Sequence, residues 1–325
     1  MNAVDELDRR LTDAGFRGAV RIEQGADVLI DRAYGEDGAG VPFTTGTASQ
    51  IASISKSFTA ACALLLVDEA RLAFDDRLVA FLDARPAAWN DITIRHLLTH
   101  TSGLVHWGDV PGHDHYSPCP RDELIAKFAA APLLFEPGSS WSYSSPGFVL
   151  LAHVVETISG ESYPVFLREN VLEPLGLRRT AADDTPPGGP AAHGSRGGEP
   201  VPSFDLAVNV GTGDVWSTTG DLIRWPTALA SCESLSAATR GAAQSRQTPT
   251  TRDIPGIEDV GYGFGWFTAT LDGAPMIFHS GDNAGFVSLL VWLPDEELRL
   301  AMLAPDEINL GELAFPALAR LLRAT

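Results

Sequence analysis

The chain has 325 residues, of which 45% are hydrophobic and 20% charged, and its formal net charge is -19. That length is enough for a sizeable core in one large domain or two lobes. The acidic balance argues against nucleic-acid and anionic-membrane partners, which are held by clustered Lys and Arg.

The first ten residues have no apolar stretch of the kind a secretory signal needs. The longest apolar runs, Ala60–Val67 and Phe286–Leu293, are too short to span a bilayer. Cys62, Cys119 and Cys232 are odd in number and scattered, so the expectation is a reducing cytoplasm and no disulfide framework. A helix is predicted over 5–15, with Leu7, Leu11 and Ala14 on one side. Gly18–Glu23 and Val28–Ala33 read as strands joined by a hairpin at Gln24-Gly25-Ala26. The next helix starts near Ser53 and runs to about Glu69. It is apolar nearly all round, which predicts burial, with Cys62 as a small core residue. Shorter helices are predicted at Ile94–Leu98, Arg121–Ala129 and Phe148–Ile158. Thr185–Val201, rich in Pro and Gly, reads as an exposed loop. Four strand-like runs follow, at Tyr262–Thr270, Met276–His279, Phe286–Leu293 and Leu298–Leu303. Turns fall at Asp272-Gly273 and Asp295-Glu296-Glu297, and a last helix covers 311–323.

Strands at both ends with helices between them predict a mixed α/β (α+β) fold. Its antiparallel sheet has about five strands drawn from both chain ends and is flanked by helices, with a mainly helical lobe inserted. On this reading 1–75 plus 260–325 form a sheet lobe and 76–259 a helical lobe. The cleft between lobes is the usual place for a small-molecule site.

Three segments carry chemistry. Ser53 stands three residues before Lys56, and residues three apart on a helix share a face. A serine hydroxyl becomes a useful nucleophile when a nearby base takes its proton. A helix N-terminus adds N–H groups that can stabilise an oxyanion. Tyr143-Ser144-Ser145 puts a phenol and a hydroxyl two residues apart just before a helix. His279-Ser280-Gly281 ends a strand-like run, and its glycine lets backbone N–H groups approach a ligand. Taken singly, each has a plain structural alternative: a helix cap with a solvated lysine, a core tyrosine, a strand end.

Together these segments resemble the serine beta-lactamase and penicillin-recognising superfamily, in its class C, D-aminopeptidase and family VIII carboxylesterase branch. The resemblance extends over Gly18-Ala-Val, Tyr34-Gly35, Ala52–Ala60 and Asp75-Asp76. It continues through Ile92–Leu104, Phe135–Gly138, Tyr143–Ser145 and Pro174–Leu177, then Gly213, Ser217-Thr218, Tyr262–Trp266 and His279–Gly281. It implies the beta-lactamase/transpeptidase-like fold, with no metal and no cofactor. Ser53 resembles the acylated nucleophile, Lys56 the residue that helps deprotonate it, and Tyr143 the proton shuttle to the leaving group. His279-Ser280-Gly281 resembles the third motif, and the backbone N–H groups of Ser53 and Asp282 the oxyanion hole. The family's second motif is usually Tyr-x-Asn, whereas this chain has Ser145. Asn offers both an acceptor and a donor amide, and Ser145 can supply only part of that set. A His in place of a Lys in the third motif attracts a carboxylate only if protonated.

His106, His113, His115 and Cys119 match no zinc spacing. Their loop, with His106, Trp107 and Tyr116, reads instead as a candidate substrate pocket. His96 and His100 read as structural, and Asp282 and Asn283 as substrate contacts or a plain turn. The expectation is therefore a serine hydrolase or acyltransferase acting through a Ser53 acyl-enzyme on a small ester or amide, esters first. Water, an amine or an alcohol is the acceptor. The alternatives are a dedicated biosynthetic transacylase, a beta-lactamase or D-amino-acid peptidase, and a non-catalytic sensor that keeps the fold.

Overall fold

The computed structural model describes residues 3–83, 86–182 and 186–323. Eight antiparallel strands make the main sheet: β1 (Gly18–Gln24), β2 (Asp27–Tyr34), β3 (Thr248–Pro249), β4 (Glu258–Tyr262), β5 (Phe267–Leu271), β6 (Ala274–Asn283), β7 (Phe286–Leu293) and β8 (Leu298–Ala304). Their order is β2-β1-β8-β7-β6-β5-β4-β3. The chain ends meet where Ala19 to Gln24 pair with Leu303 to Leu298.

The sheet has eight strands where about five are expected: all six strand-like runs join it, and two more strands arise locally. Tyr262–Thr270 is two strands rather than one. Gly263 and Gly265 bracket Phe264, Gly265 takes φ +78°, and the Gly263 N–H donates to the Trp266 carbonyl, which reverses the chain. Thr248–Pro249 then adds a short edge strand against β4.

Side chains alternate across the sheet with period two. Leu289, Val291, Leu300 and Met302 pack with Leu7, Leu11 and Leu318 of helices α1 (Ala3–Asp13) and α6 (Leu310–Leu322). Leu290, Ala301 and Leu303 face the other way, toward helices α2 (Ser55–Asp68), α3 (Ile94–Leu98), α4 (Arg121–Ala130) and α5 (Ser145–Ser159). Every residue of α2 from Ser55 to Leu66 is buried, as its all-round apolar sequence requires. Helix α1 stops at Asp13, so Ala14, expected on its apolar side, is exposed beyond it.

The Pro/Gly-rich stretch is partly built into the structure; of it, Thr185 lies outside the described residues. Ala192 is buried beside Phe43, Trp216 and Phe286, and the buried Ser195 hydroxyl donates to the Pro305 carbonyl at 2.6 Å. Ser195-Arg196 and Glu199-Pro200 form a small hairpin. No helix among the described residues is long and apolar enough to cross a membrane.

Candidate active site

Ser53 sits in a 3-10 turn, Ala52–Ile54, that leads directly into α2. The turn starts under strain: Ala52 has φ +46°, a region that costs a non-glycine residue about 1–3 kcal/mol. Lys56, one turn on, is fully buried, and its Nζ lies 3.0 Å from Ser53 Oγ and 3.0 Å from the Thr212 carbonyl oxygen. Burial holds the Lys56 amine well below its ordinary range; the Arg252 charge adds to this and Asp214 opposes it. A neutral amine donates to Thr212 and still has a lone pair to receive the Ser53 proton.

Tyr143 arrives from the segment before α5. Lys56 Nζ lies 4.9 Å from its ring centroid. Burial pushes the phenol up, and the hydrogen bond with Ser53 and the Arg252 charge pull it back in part. The hydroxyl therefore holds its proton in the resting site. Two histidines position this segment. The buried His100, at φ +59°, packs tilted against Tyr143 with ring centroids 4.3 Å apart and accepts from the Ser144 N–H through Nδ1 at 3.1 Å. His106 meets Tyr143 edge-on at 5.5 Å and accepts from the Ser145 N–H at 3.2 Å. His96 closes the capping box of α3 with Thr93. So His96 holds a helix end, and His100 also braces the second motif.

Strand β6 brings His279. Its Nδ1 lies 2.7 Å from the Ser280 carbonyl, which only accepts, so the ring proton is on Nδ1. Nε2 is then an acceptor for the Tyr262 hydroxyl at 3.3 Å. Burial and the Lys56 charge push His279 down to about 3. The third motif thus presents no cation at neutral pH.

At Gly281 the strand lies in close contact with the turn. A Cβ there would lie 2.2 Å from the Ile51 carbonyl oxygen and 3.0 Å from the Ala52 Cβ. Its absence lets β6 lie flush on the turn that carries Ser53. The pairing of β5 with β6 ends at Phe267–Phe278, so from His279 onward β6 is paired on its β7 side alone among the described strands. The backbone at Gly281-Asp282 therefore borders the cleft. Asn283 pins it by donating to Gln50 Oε1 and the Gly213 carbonyl, both at 2.8 Å.

The candidate pocket loop divides. His106 reaches Tyr143, but Trp107 stacks on His113 at 4.3 Å and Tyr116 packs on Phe204 at 5.2 Å. Among the described residues no group of three His, Cys, Asp or Glu is placed to hold a metal ion.

Sequence reasoning missed three contributors. Thr212 acts through its carbonyl, which side-chain identity does not advertise. Asp214 is buried, with Oδ1 accepting from the Gly211 N–H at 3.0 Å and no hydrogen-bond partner for Oδ2 among the described residues. Burial pushes it up to about 7, with the Gly211 N–H hydrogen bond first among the effects that oppose this. Arg252, exposed in a loop, lays its guanidinium 5.7 Å from the Tyr143 ring centroid and 5.0 Å from that of Phe267. No motif marks any of the three.

A family model described as Beta-lactamase matches residues 4–324. The chain is 27% identical to D-alanyl-D-alanine-carboxypeptidase/endopeptidase AmpH of Escherichia coli (strain K12), over 88% of this chain and 78% of that protein. It is 35% identical to esterase EstB of Burkholderia gladioli, over 53% of this chain and 48% of that protein. The octameric penicillin-binding protein homologue from Pyrococcus abyssi superposes with a TM-score of 0.86 at 25% identity, covering 98% of this chain and 77% of that one.

Proposed function

Because the chain belongs to the Beta-lactamase family, within a superfamily of serine hydrolases, we propose that it hydrolyses a small-molecule ester through an acyl-enzyme on Ser53. The observation that carries this reading is the buried Lys56 amine 3.0 Å from Ser53 Oγ. Lys56 Nζ takes the Ser53 proton as Oγ bonds to the substrate carbonyl carbon. The backbone N–H groups of Ser53 and Asp282 hold the oxyanion. The tetrahedral intermediate then collapses, the alkoxide leaves with the Tyr143 proton, and Lys56 returns its proton to Tyr143. Water, or a bound alcohol or amine, releases the acyl group by the reverse path.

Two features favour esters. His279 is neutral, so the third motif offers a substrate carboxylate no cation. Ser145 stands where an amide side chain would grip an acylamide. The likeness to an esterase supports the same choice.

A second reading, cleavage of amides that carry a carboxylate, is favoured by Arg252, whose guanidinium lies over Tyr143. Parallel assays with p-nitrophenyl acetate and nitrocefin separate the two. Ester turnover without nitrocefin turnover is expected, and the reverse pattern sinks the ester reading. Mass spectrometry after fluorophosphonate treatment is expected to find one adduct, on Ser53. Lys56→Ala and Tyr143→Phe each lower kcat by roughly 10²–10⁴, and the double variant loses little more because the groups act as a unit. Absence of an adduct on an active protein removes Ser53 from the mechanism.

A further inference from the structure

A cavity of about 990 Å3 lies between β6 and α6, on the opposite side of the strand from Ser53. The alternation of β6 explains its place. Gly281 and Asn283 face the Ser53 turn and the Gly213 loop. Phe278 faces α6, where it meets Phe315 at 6.0 Å, and Ser280 and Asp282 follow on that same face. Its floor is apolar, formed by the buried Leu271, Phe278, Leu289, Leu310 and Phe315 with the half-buried Ile308, and its rim is polar. Gly311 and Ala319, the small residues of α6 that also line it, leave the space unfilled.

The cavity opens beside the chemistry. Ser280, Gly281 and Asp282 line it, as does Arg252, which also covers Tyr143. Two of its rim acids are engaged, Glu307 accepting twice from Arg196 at 2.8 Å and Glu312 accepting from Asn309 at 2.8 Å, while the Asp282 carboxyl is exposed at the mouth. The space is a groove half open to solvent, with exposed Arg252, Asp282, Glu307 and Pro316 along its mouth. Its volume is at the upper end of the range for small-molecule sites, about 300–1,000 Å3.

We propose that this cavity is a specificity site that takes an uncharged, apolar arm of the substrate, a long alkyl or aryl group. A carbonyl held at Asp282 is beside its mouth, so one arm of the ester reaches it across Ser280. The inference rests on the reading of Ser53 as nucleophile and adds the substrate class: esters with a bulky apolar arm.

Two ester series test it. One lengthens the acyl chain from p-nitrophenyl acetate to dodecanoate, and the other lengthens the alcohol of an acetate ester. In the unmodified protein kcat/KM is expected to rise about three- to fourfold per methylene in one of the two series. Ala319→Trp fills the cavity from α6 and is expected to flatten that slope while p-nitrophenyl acetate turnover stays within about twofold. Ile308→Trp, at the half-buried rim, does the same without entering the helix and covers the case where the first variant misfolds. Slopes that are flat in both series, or that survive both substitutions, overturn the inference. Ser53→Ala separates the two claims. If it still cleaves these esters, the reading of Ser53 fails. If it is inactive while both slopes are flat, only the cavity assignment fails.

Discussion

A Cβ on Gly281 would lie 2.2 Å from the carbonyl oxygen of Ile51. The third-motif strand and the Ser53 turn are therefore in backbone contact, and the contact sets the separation of the two N–H groups proposed for the oxyanion. Gly281→Ala is expected to push the strand off the turn. Stability falls by about 1–3 kcal/mol, as for other overpacked sites, and kcat/KM falls at least about tenfold, because one oxyanion donor is worth more than that. Urea unfolding and ester kinetics read the two effects. A variant with unchanged kcat/KM breaks the link between this contact and catalysis.

Arg252 is a charge effect that can be separated from shape. Its cation lowers both Lys56 and Tyr143. In Arg252→Leu the amine holds its proton more tightly, so the acid limb of kcat/KM moves to higher pH. The expected displacement is a few tenths of a pH unit for an exposed, salt-screened charge. Repeating the profile at 1 M salt shrinks the difference. A limb that moves to lower pH contradicts the assignment.

Burial also sets the acid limit of the fold. The buried His100 is held well below its ordinary range and the buried His279 is pushed down to about 3, in each case mainly by desolvation and then by the Lys56 charge. The folded chain keeps them neutral while the unfolded chain takes up protons below about 6.5. Their stability contribution is complete above that pH and is lost as pH falls toward 3. Each fully buried ring costs about 1.4 kcal/mol per pH unit in that window. Melting temperature against pH is expected to drop below 6.5, and less steeply in His279→Gln.

Asp214 has the opposite sign. Its folded pKa of about 7 lies above the unfolded value of 3.8. Stability is therefore lost as pH rises from about 4 to 7, because ionising the buried carboxyl is costly. Lys56, Tyr163, Cys62 and Arg121 share its surroundings. Asp214→Asn removes the titration, so the variant gains on the unmodified protein as pH rises from 4 to 8, by a few kcal/mol. Comparing the two pH values cancels any fixed cost of the new amide. A difference that does not change with pH refutes the buried, titrating carboxyl.

Local pattern made much of the protein legible. Ser53 and Lys56 meet because helical spacing alone puts them on one face, and α2 is buried because its apolar residues leave no polar stripe. The strands at both ends could be read from alternation, and their pairing in one sheet followed as an expectation. The split of Tyr262–Thr270 was hidden because Phe264 and Trp266 kept the run apolar through the turn at Gly265. What the sequence could not decide was the state of each group. Whether Lys56 is a base or an ammonium, and whether His279 is a cation or a neutral acceptor, depends on burial and on charges brought from distant segments. Thr212, Asp214 and Arg252 reach the site only through folding, and Thr212 acts through a backbone carbonyl that every residue has. The residue types for acyl transfer are local information. Their protonation, and the apolar cavity under α6, exist only once the chain ends have closed around β6, because desolvation and shape belong to the packed whole.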